Sequence, residues 1–407
     1  MSKSKQFDAI ILITASRWDQ NYSSASISIG RELSKTHVVF FIDNPFTLQD
    51  ILRGFRKPRI KKRLKSLIFG KSIYKQIEPG NKNWIAVTPL AVMPINWLPE
   101  GVFYDILSYI NNKIFLLVIK RVIRDHKLQN YILFNSFNPF YGYSLPQSIK
   151  PAIRIYQSRD NIMESEYLNR HGPRLEQKVA QSANIRLATS TDLVNKLSTP
   201  SHPFIFFPNA ADFDLFVKAS EPVQGIPEEL LKLKRPIIGY IGNICLRLDY
   251  ELLYKIAIHF NWCTLLMVGP RDDDRHHRFN FDELGNVLFT GGKNIVELPK
   301  YLSVMNCAIL PFKKNALTKS IYPLKINEYL AGGKPVVSTD FSPDIKSFHN
   351  LIFISESHED FISKIVTALS DVDPERKKDR ISEARKNSWA GRVELFWDLI
   401  EKHQSSL

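Results

Sequence analysis

Lys325 and Glu328 stand three residues apart in the stretch Ser320–Thr339, SIYPLKINEYLAGGKPVVST. A lysine in the first turn of a helix is misplaced against the helix macrodipole unless an anion joins it. Backbone N–H groups at a helix start, together with an ammonium, make an anion site whose common guest is phosphate. Glu328 follows one turn later on the same face, where a carboxylate can accept hydrogen bonds from ribose hydroxyls. Nothing adjacent in sequence neutralises Lys325, so its ammonium is expected to be free for a ligand. Pro323 suits the first helical position, where its missing N–H is not needed, and it pushes Tyr322 towards an extended conformation. Leu324, Ile326, Tyr329 and Leu330 have helical spacing for a core. Gly332 and Gly333 then end the helix, and Pro335-Val336-Val337 opens a buried strand. An ordinary helix with a solvated Lys and Glu accounts for the same spacing.

Other residues can do chemistry beside this pair. Gly242 and Asn243 follow the apolar run PIIGYI, and a glycine there lets the backbone approach a diphosphate closely. Arg247 adds charge near the same place, or is a solvated arginine at a helix start. GYIGN is not GxGxxG, so no dinucleotide fingerprint is present. Asp160, in IYQSRDNI, follows a strand and can deprotonate a hydroxyl; Asp19, in SRWDQNY, is the second candidate base. Trp18 and Tyr22 beside it can stack on a sugar or lipid head, and His171 is a further acid/base option. Asp272-Asp273-Asp274 and His276-His277 have the look of a metal site, yet RDDDRHHRF reads as a polar run after a strand, and no metal is expected. GxSxG, HExxH and P-loop patterns are absent.

The Ser320–Thr339 segment resembles the donor-site helix of GT-B glycosyltransferases, in particular the family-4-type (glycosyl transferases group 1) enzymes. Their signature is a Glu, seven residues, a second Glu, a small-residue turn and Pro-Val-Val. Glu328 matches the second Glu and AGGKPVVST the turn, but Ser320 stands where the first would be. That first Glu is the one assigned to the transferred sugar. The PLK-xxEY version is similar to teichuronic-acid-type glycosyltransferases and, more distantly, to xanthan-type glucuronosyltransferases, in which the Lys holds the nucleotide diphosphate and a first-domain Asp is the base. PNAADFDLF, residues 208–216, resembles the PNGVD-x-x-x-F with which the second domain of such enzymes begins; Ala210 and Ala211 replace Gly and Val. NSWAGRVELFWDLIEK resembles the terminal helix that returns to the first domain.

The elements that must position these groups alternate. Phe7–Thr14, Val38–Asp43, Trp84–Thr88, Tyr131–Asn135, Ile153–Gln157 and Ile185–Ser190 read as strands of a first half, with helices over Ser24–Lys35, Val102–His126 and Pro173–Ala183. Pro236–Ile241, Thr264–Val268, Val287–Thr290, Cys307–Pro311 and Val336–Ser338 read as strands of a second, with a helix over Tyr250–Phe260. Such alternation implies parallel sheets covered on both faces, with ligands beyond the strand C-termini. The expected fold is α/β, a GT-B arrangement of two Rossmann-like domains facing a cleft. The expected domains are 1–200 for the acceptor, 201–385 for the nucleotide sugar, and 386–407 as the returning helix.

Charge is distributed unevenly. The chain of 407 residues carries a net charge of +14. Residues 1–200 hold 29 Lys/Arg against 14 Asp/Glu, and residues 201–407 hold 26 against 27. Arg53–Lys75 alone has ten basic residues and no acid, interleaved with Phe55, Ile60, Leu64, Leu67, Ile68 and Phe69. Such a segment fits an anionic membrane surface; a solvated face and nucleic-acid binding are the rivals, and no nucleic-acid module accompanies it. Apolar runs such as Ile114–Ile119 are far short of the ~20 residues that span a bilayer, and MSKSKQFD is not expected to act as a signal peptide. Cys245, Cys263 and Cys307 have no metal spacing and read as buried reduced thiols.

These readings converge on a nucleotide-sugar-dependent glycosyltransferase without metal or cofactor. Gly242, Asn243, Arg247, Ser320, Tyr322, Lys325 and Glu328 are expected to hold the donor, with Asp160 or Asp19 as base. The expected partners are a UDP sugar, a saccharide or lipid-linked saccharide acceptor, and an anionic membrane through residues 53–75. The expected place is cytoplasmic, on the inner face of the cell membrane. A sugar-nucleotide epimerase of the same architecture and a non-catalytic binding protein are the alternatives.

Overall fold

Strand-forming residues dominate both halves of the chain, and each half folds around its own sheet. A computed structural model describes residues 7–19, 24–165, 167–272 and 278–406. One unit comprises Met1–Thr189, Leu193–Phe207 and Val393–Leu407; the other comprises Ser190–Asp192 and Pro208–Arg392.

The first unit is built on eight strands: β1 Ala9–Thr14, β2 Val39–Ile42, β3 Tyr74–Gln76, β4 Trp84–Val87, β5 Tyr131–Ser136, β6 Ile153–Ser158, β7 Ile185–Ala188 and β8 Ile205–Phe206. They lie in the order β3-β4-β2-β1-β5-β6-β7-β8. All pairings are parallel except β3 with β4, a short edge strand that the sequence does not announce. The central strand β1, AIILIT, is buried at every position, as a parallel strand covered on both faces must be. The helix Ala25–Leu33 starts at Ser24, whose hydroxyl accepts from the Ile27 N–H.

The 24-residue helix Val102–Asp125 packs Phe115, Leu116, Ile119 and Val122 into this core. By length and mean hydropathy it is also the one helix among the described residues that could cross a membrane. Its apolar residues are broken up by single charges, so no long apolar run betrays it in the sequence. The end of the chain folds as a helix over Trp389–Ser405. Its Phe396 meets Phe134 at 5.4 Å, and Trp397 lies against His37 at 4.5 Å.

The second unit has six strands, all parallel: β9 Ile237–Ile241, β10 Thr264–Val268, β11 Val287–Phe289, β12 Cys307–Leu310, β13 Val336–Thr339 and β14 Phe353–Ser355. Their order is β11-β10-β9-β12-β13-β14. Two helices beyond the expected set, His358–Leu369 and Pro374–Lys386, follow the last strand. The three cysteines are buried and unpaired, and burial pushes the Cys263 thiol up to about 11.

Helix Leu324–Ala331 is pinned to the C-terminal end of β9. The Tyr329 hydroxyl accepts from the Ile241 N–H at 2.8 Å and lies 3.2 Å from the Ile241 carbonyl. Immediately beyond, two glycines let adjacent strand ends touch. Gly269 has φ +152°, and a Cβ on it would stand 1.8 Å from the Gly242 carbonyl oxygen. Neither the backbone angle nor the space accepts a side chain. Gly269→Ala is therefore expected to cost about 2 kcal/mol or more in urea denaturation. Gly285→Ala, whose added carbon would meet nothing within 4 Å, should stay within about 0.5 kcal/mol.

Candidate functional site

At the carboxyl edge of the second sheet, Lys325 does not stand alone. Its ammonium lies 2.6 Å from the Glu328 carboxylate, an i,i+3 ion pair in the first turn of the helix. The Glu328 side chain is nearly buried and that of Lys325 about one quarter exposed. The expectation of a lysine left unneutralised is thus corrected: a carboxylate three residues on is within reach of a flexible ammonium, and low solvation strengthens the contact. Pro323 occupies the N-cap rather than the first helical position. The Leu324 and Ile326 N–H groups already donate to the carbonyls of Tyr322 and Pro323. An anion here would rest on the lysine more than on free amides.

The neighbouring candidates divide. Gly242 closes the end of β9, with its N–H on the Val268 carbonyl at 2.9 Å. Asn243 is exposed, and its amide donates to Asp272 at 2.5 Å. Arg247 is exposed. Tyr240 connects these groups to the helix. Burial pushes its phenol well up; the Arg247 charge opposes and the Glu328 charge adds to the effect, so both lie within electrostatic reach of one ring. Its hydroxyl donates to the Asn243 carbonyl at 3.1 Å.

Ser320 and Tyr322 are drawn into the packing. Ser320 is buried, with its hydroxyl 2.5 Å from Asp192. Tyr322 is buried beneath the helix, accepting from the Asn327 amide at 3.0 Å. Both are parts of the packing under the site: the spacing aligned them with the loop, and burial turned them inward.

In the first unit, Asp160 is exposed just beyond β6. Arg159 beside it is lowered to about 10 by burial, against the raising effect of Asp160. The Arg159 guanidinium is committed to Ser26 at 2.7 Å and Ser136 at 2.5 Å. Asp19 has a different fate. It accepts from Arg59 at 2.8 Å and Arg63 at 2.5 Å. Burial would raise its carboxyl, but the two guanidiniums outweigh that and hold it below the usual carboxylate range. A carboxylate so stabilised is a poor base.

Trp18 has Arg63 over its ring at 5.1 Å, and Tyr22 lies outside the described residues. His171 is buried and stacked on Tyr104 with 3.5 Å between ring centroids. Burial lowers its pKa against the opposing Leu98 carbonyl contact, which makes it a packing group. Asp273 to His277 also lie outside the described residues; among the described ones no cluster of three metal-ligating side chains occurs.

Two features went unread in the sequence. Asp43, at the end of β2, is wholly buried. It accepts from the Trp18 N–H at 2.9 Å and stands 3.6 Å from Arg63. Burial raises its pKa to about 7, with Arg63 opposing. An acid closing the apolar run VVFFID was the available signal. The second feature is a cleft of about 860 Å³ beyond the carboxyl ends of the first sheet. Trp97, Phe140 and Tyr167 offer rings, and Asn44, Asn96 and Arg170 offer polar groups. Phe137 in its wall has φ +62°, a left-handed conformation uncommon for a bulky residue and typical of functional sites. Rings that stack and amides that both donate and accept suit a polyhydroxylated ligand. The lining comes from several separate loops, so no motif marks it.

Residues 235–371, which hold the Lys325 helix, match the family Glycosyl transferases group 1. A putative teichuronic acid biosynthesis glycosyltransferase, TuaH, of Bacillus subtilis (strain 168) is 28% identical over 232 residues, 52% of this chain and 57% of that protein. The chain thus spans a little over half the length of this curated relative. Sucrose-phosphate synthase from Thermosynechococcus elongatus superposes with a TM-score of 0.67 at 14% identity, over 98% of this chain and 100% of that one. Anabaena HepE in complex with UDP gives 0.61 at 11% identity, over 97% and 100%. These likenesses show the GT-B fold.

Asp43 carries a consequence for pH. Its folded value near 7 lies above its ordinary 3.8, so the folded protein binds the extra proton between them. That contribution is complete below the unfolded value and is lost as pH rises through the folded one. Asp43→Asn should therefore gain stability relative to the parent from about pH 4 to about pH 7, by roughly 4 kcal/mol, and gain no more above. Urea midpoints across that range check it; parallel curves would refute the buried titration.

Proposed function

We propose that this protein transfers a sugar from a nucleoside diphosphate sugar to a saccharide or lipid-linked saccharide. The observation that carries the reading is the Lys325–Glu328 pair, held at the end of β9 by Tyr329 within the segment that matches a transferase family. A donor exchanges the pair's internal contact for two of its own. The diphosphate takes Lys325, and the ribose hydroxyls donate to Glu328. Gly242 and Asn243 line the approach, and Arg247 adds a second positive charge. The leaving group is a nucleoside diphosphate, so stabilising its developing charge is the main catalytic task. Lys325 and Arg247 supply that charge, which is why the reading is metal-independent.

Asp160 is the proposed base: it is exposed at the carboxyl edge of the first sheet, whereas Asp19 is held by two arginines. It would take the acceptor hydroxyl proton as the oxygen attacks the anomeric carbon and the diphosphate departs. The aromatic and amide cleft of the first unit is the proposed acceptor site. A hexose carried on UDP is the first donor to try, because a structural relative was solved with UDP. The name of the teichuronic acid relative favours a cell-surface polysaccharide. The matched family is one of transferases, which favours transfer over epimerisation.

The basic segment supports a place on the inner face of the cytoplasmic membrane. Arg53, Arg56, Lys57, Lys61, Lys62, Lys65, Lys71 and Lys75 are exposed. Arg59 and Arg63 instead serve Asp19 and do not count towards a lipid-facing charge. The remaining charge should favour anionic over neutral vesicles and weaken with salt.

One set of variants tests the catalytic reading. Lys325→Ala should lower kcat/KM by about 100-fold or more, with some loss of stability from the buried Glu328 left unpaired. Glu328→Gln should weaken UDP binding about tenfold in calorimetry. Asp160→Asn should bind UDP as the parent does and lose transfer by about 100-fold or more. Near-normal turnover in folded Lys325→Ala would defeat the donor assignment, and full activity of Asp160→Asn would move the base elsewhere.

A further inference from the structure

The helix Val102–Asp125 has two apolar sides, and only one is used by the core. Phe115, Leu116, Ile119 and Val122 are buried against the sheet. On the opposite side, Val102 is 76% exposed and Phe103 65%, and Ile106, Ile110 and Leu117 are exposed along the same stripe. A helix covering the core of a soluble domain ordinarily turns polar residues outward at these spacings. Further along, the outer side changes character to Lys113, Lys120, Arg121 and Arg124. Asp125 pairs with both Arg121 and Arg124 and offsets one of their two charges, so that end stays positive with Lys113 and Lys120. The stripe also has apolar company. The Gly70 carbonyl accepts from the Arg121 guanidinium, one turn beyond Leu117. The residues just before Gly70, Ile68 and Phe69, are themselves exposed.

We infer that this outer face docks on an anionic lipid bilayer, with Phe103, Ile106 and Ile110 entering the headgroup–acyl boundary. The inference rests on the membrane reading of the basic segment and adds to it an apolar contact that charge alone does not supply. Charge selects the occupant. The segment between residues 53 and 75 carries eight exposed cations and no acid, and it meets this helix at Arg121, one turn beyond Leu117. A bilayer with anionic headgroups presents an apolar interior beneath a negative plane, which matches such a face.

The docking also bears on the acceptor. Tyr104, Ser108 and Asn111 of the same helix line the 860 Å³ cleft. Trp97, just before the helix, lines the cleft and is 70% exposed. Seating the helix in the interface brings Trp97 and the cleft to headgroup level, which favours a saccharide carried on a lipid.

The test uses the full chain with vesicles of phosphatidylglycerol or phosphatidylcholine. Phe103→Ser, Ile106→Ser and Ile110→Ser together should lower the phosphatidylglycerol-bound fraction at high salt at least tenfold, without shifting the thermal unfolding midpoint. Lys61→Gln, Lys62→Gln and Lys65→Gln together should lower mainly the low-salt binding. The native cysteines are all buried, so a polarity-sensitive dye can be placed on Ile106→Cys alone. Its emission should shift to the blue on phosphatidylglycerol vesicles, and a dye on Lys232→Cys, exposed in the other unit, should not shift. A triple-serine variant that binds as the parent does, or a silent dye at position 106, overturns the inference and leaves the face to a protein partner. Calorimetry with UDP on the same proteins separates the two readings. Failure of the parent to bind UDP strikes the transferase reading, while the vesicle results decide the docking face.

Discussion

One ion pair, Lys325 to Glu328 at 2.6 Å, gathers the constraints of the second unit. The ammonium stands where the helix dipole opposes it, and the carboxylate stands where burial opposes it. Each is tolerated because of the other. The pair can sit at the strand ends only because Tyr329 ties its helix to Ile241. Beyond Ile241 the chain at Gly242 can meet Gly269 only because Gly269 carries no side chain. A diphosphate with a ribose offers the same two charges better partners, several donors for the carboxylate and a denser anion for the lysine. In the function proposed above, the ion pair is a resting state that a donor replaces.

The first unit handles charge in another way. Arg59 and Arg63 come from the basic segment but turn back to Asp19, and Arg63 also faces the buried Asp43. Composition treats all ten cations of that segment alike. Folding divides them into two that complete an internal network and eight that remain outside. That division explains why Asp19, attractive by position after the first strand, is a weak base. Its charge is already neutralised where it stands, while Asp160 faces solvent.

Much of the architecture was legible because its signals are local. Runs such as AIILIT and TLLMV are apolar on every position and lie buried in parallel sheets. Ser24 reads as a helix start and caps its helix with its side chain. The short edge strand Tyr74–Gln76 and the strand Phe353–Ser355 were missed, since three residues carry no periodicity. At the site, Lys325 and Glu328 were legible by spacing, but their contact was not, because it depends on how far burial draws the two together. Ser320 and Tyr322 failed for the same reason: position in the loop was readable, the direction of the side chain was not. The cleft of the first unit was invisible, since its rings and amides meet only when separate loops converge.

In the proposed function the Lys325–Glu328 pair opens to take a diphosphate and a ribose at once. Calorimetric titration of the parent protein with UDP, UMP and uridine tests it directly. UDP should bind at least about 100-fold more tightly than uridine, with UMP between them, and rising salt should weaken UDP far more than uridine. Equal affinities for the three, or an affinity for UDP that salt leaves unchanged, would contradict it.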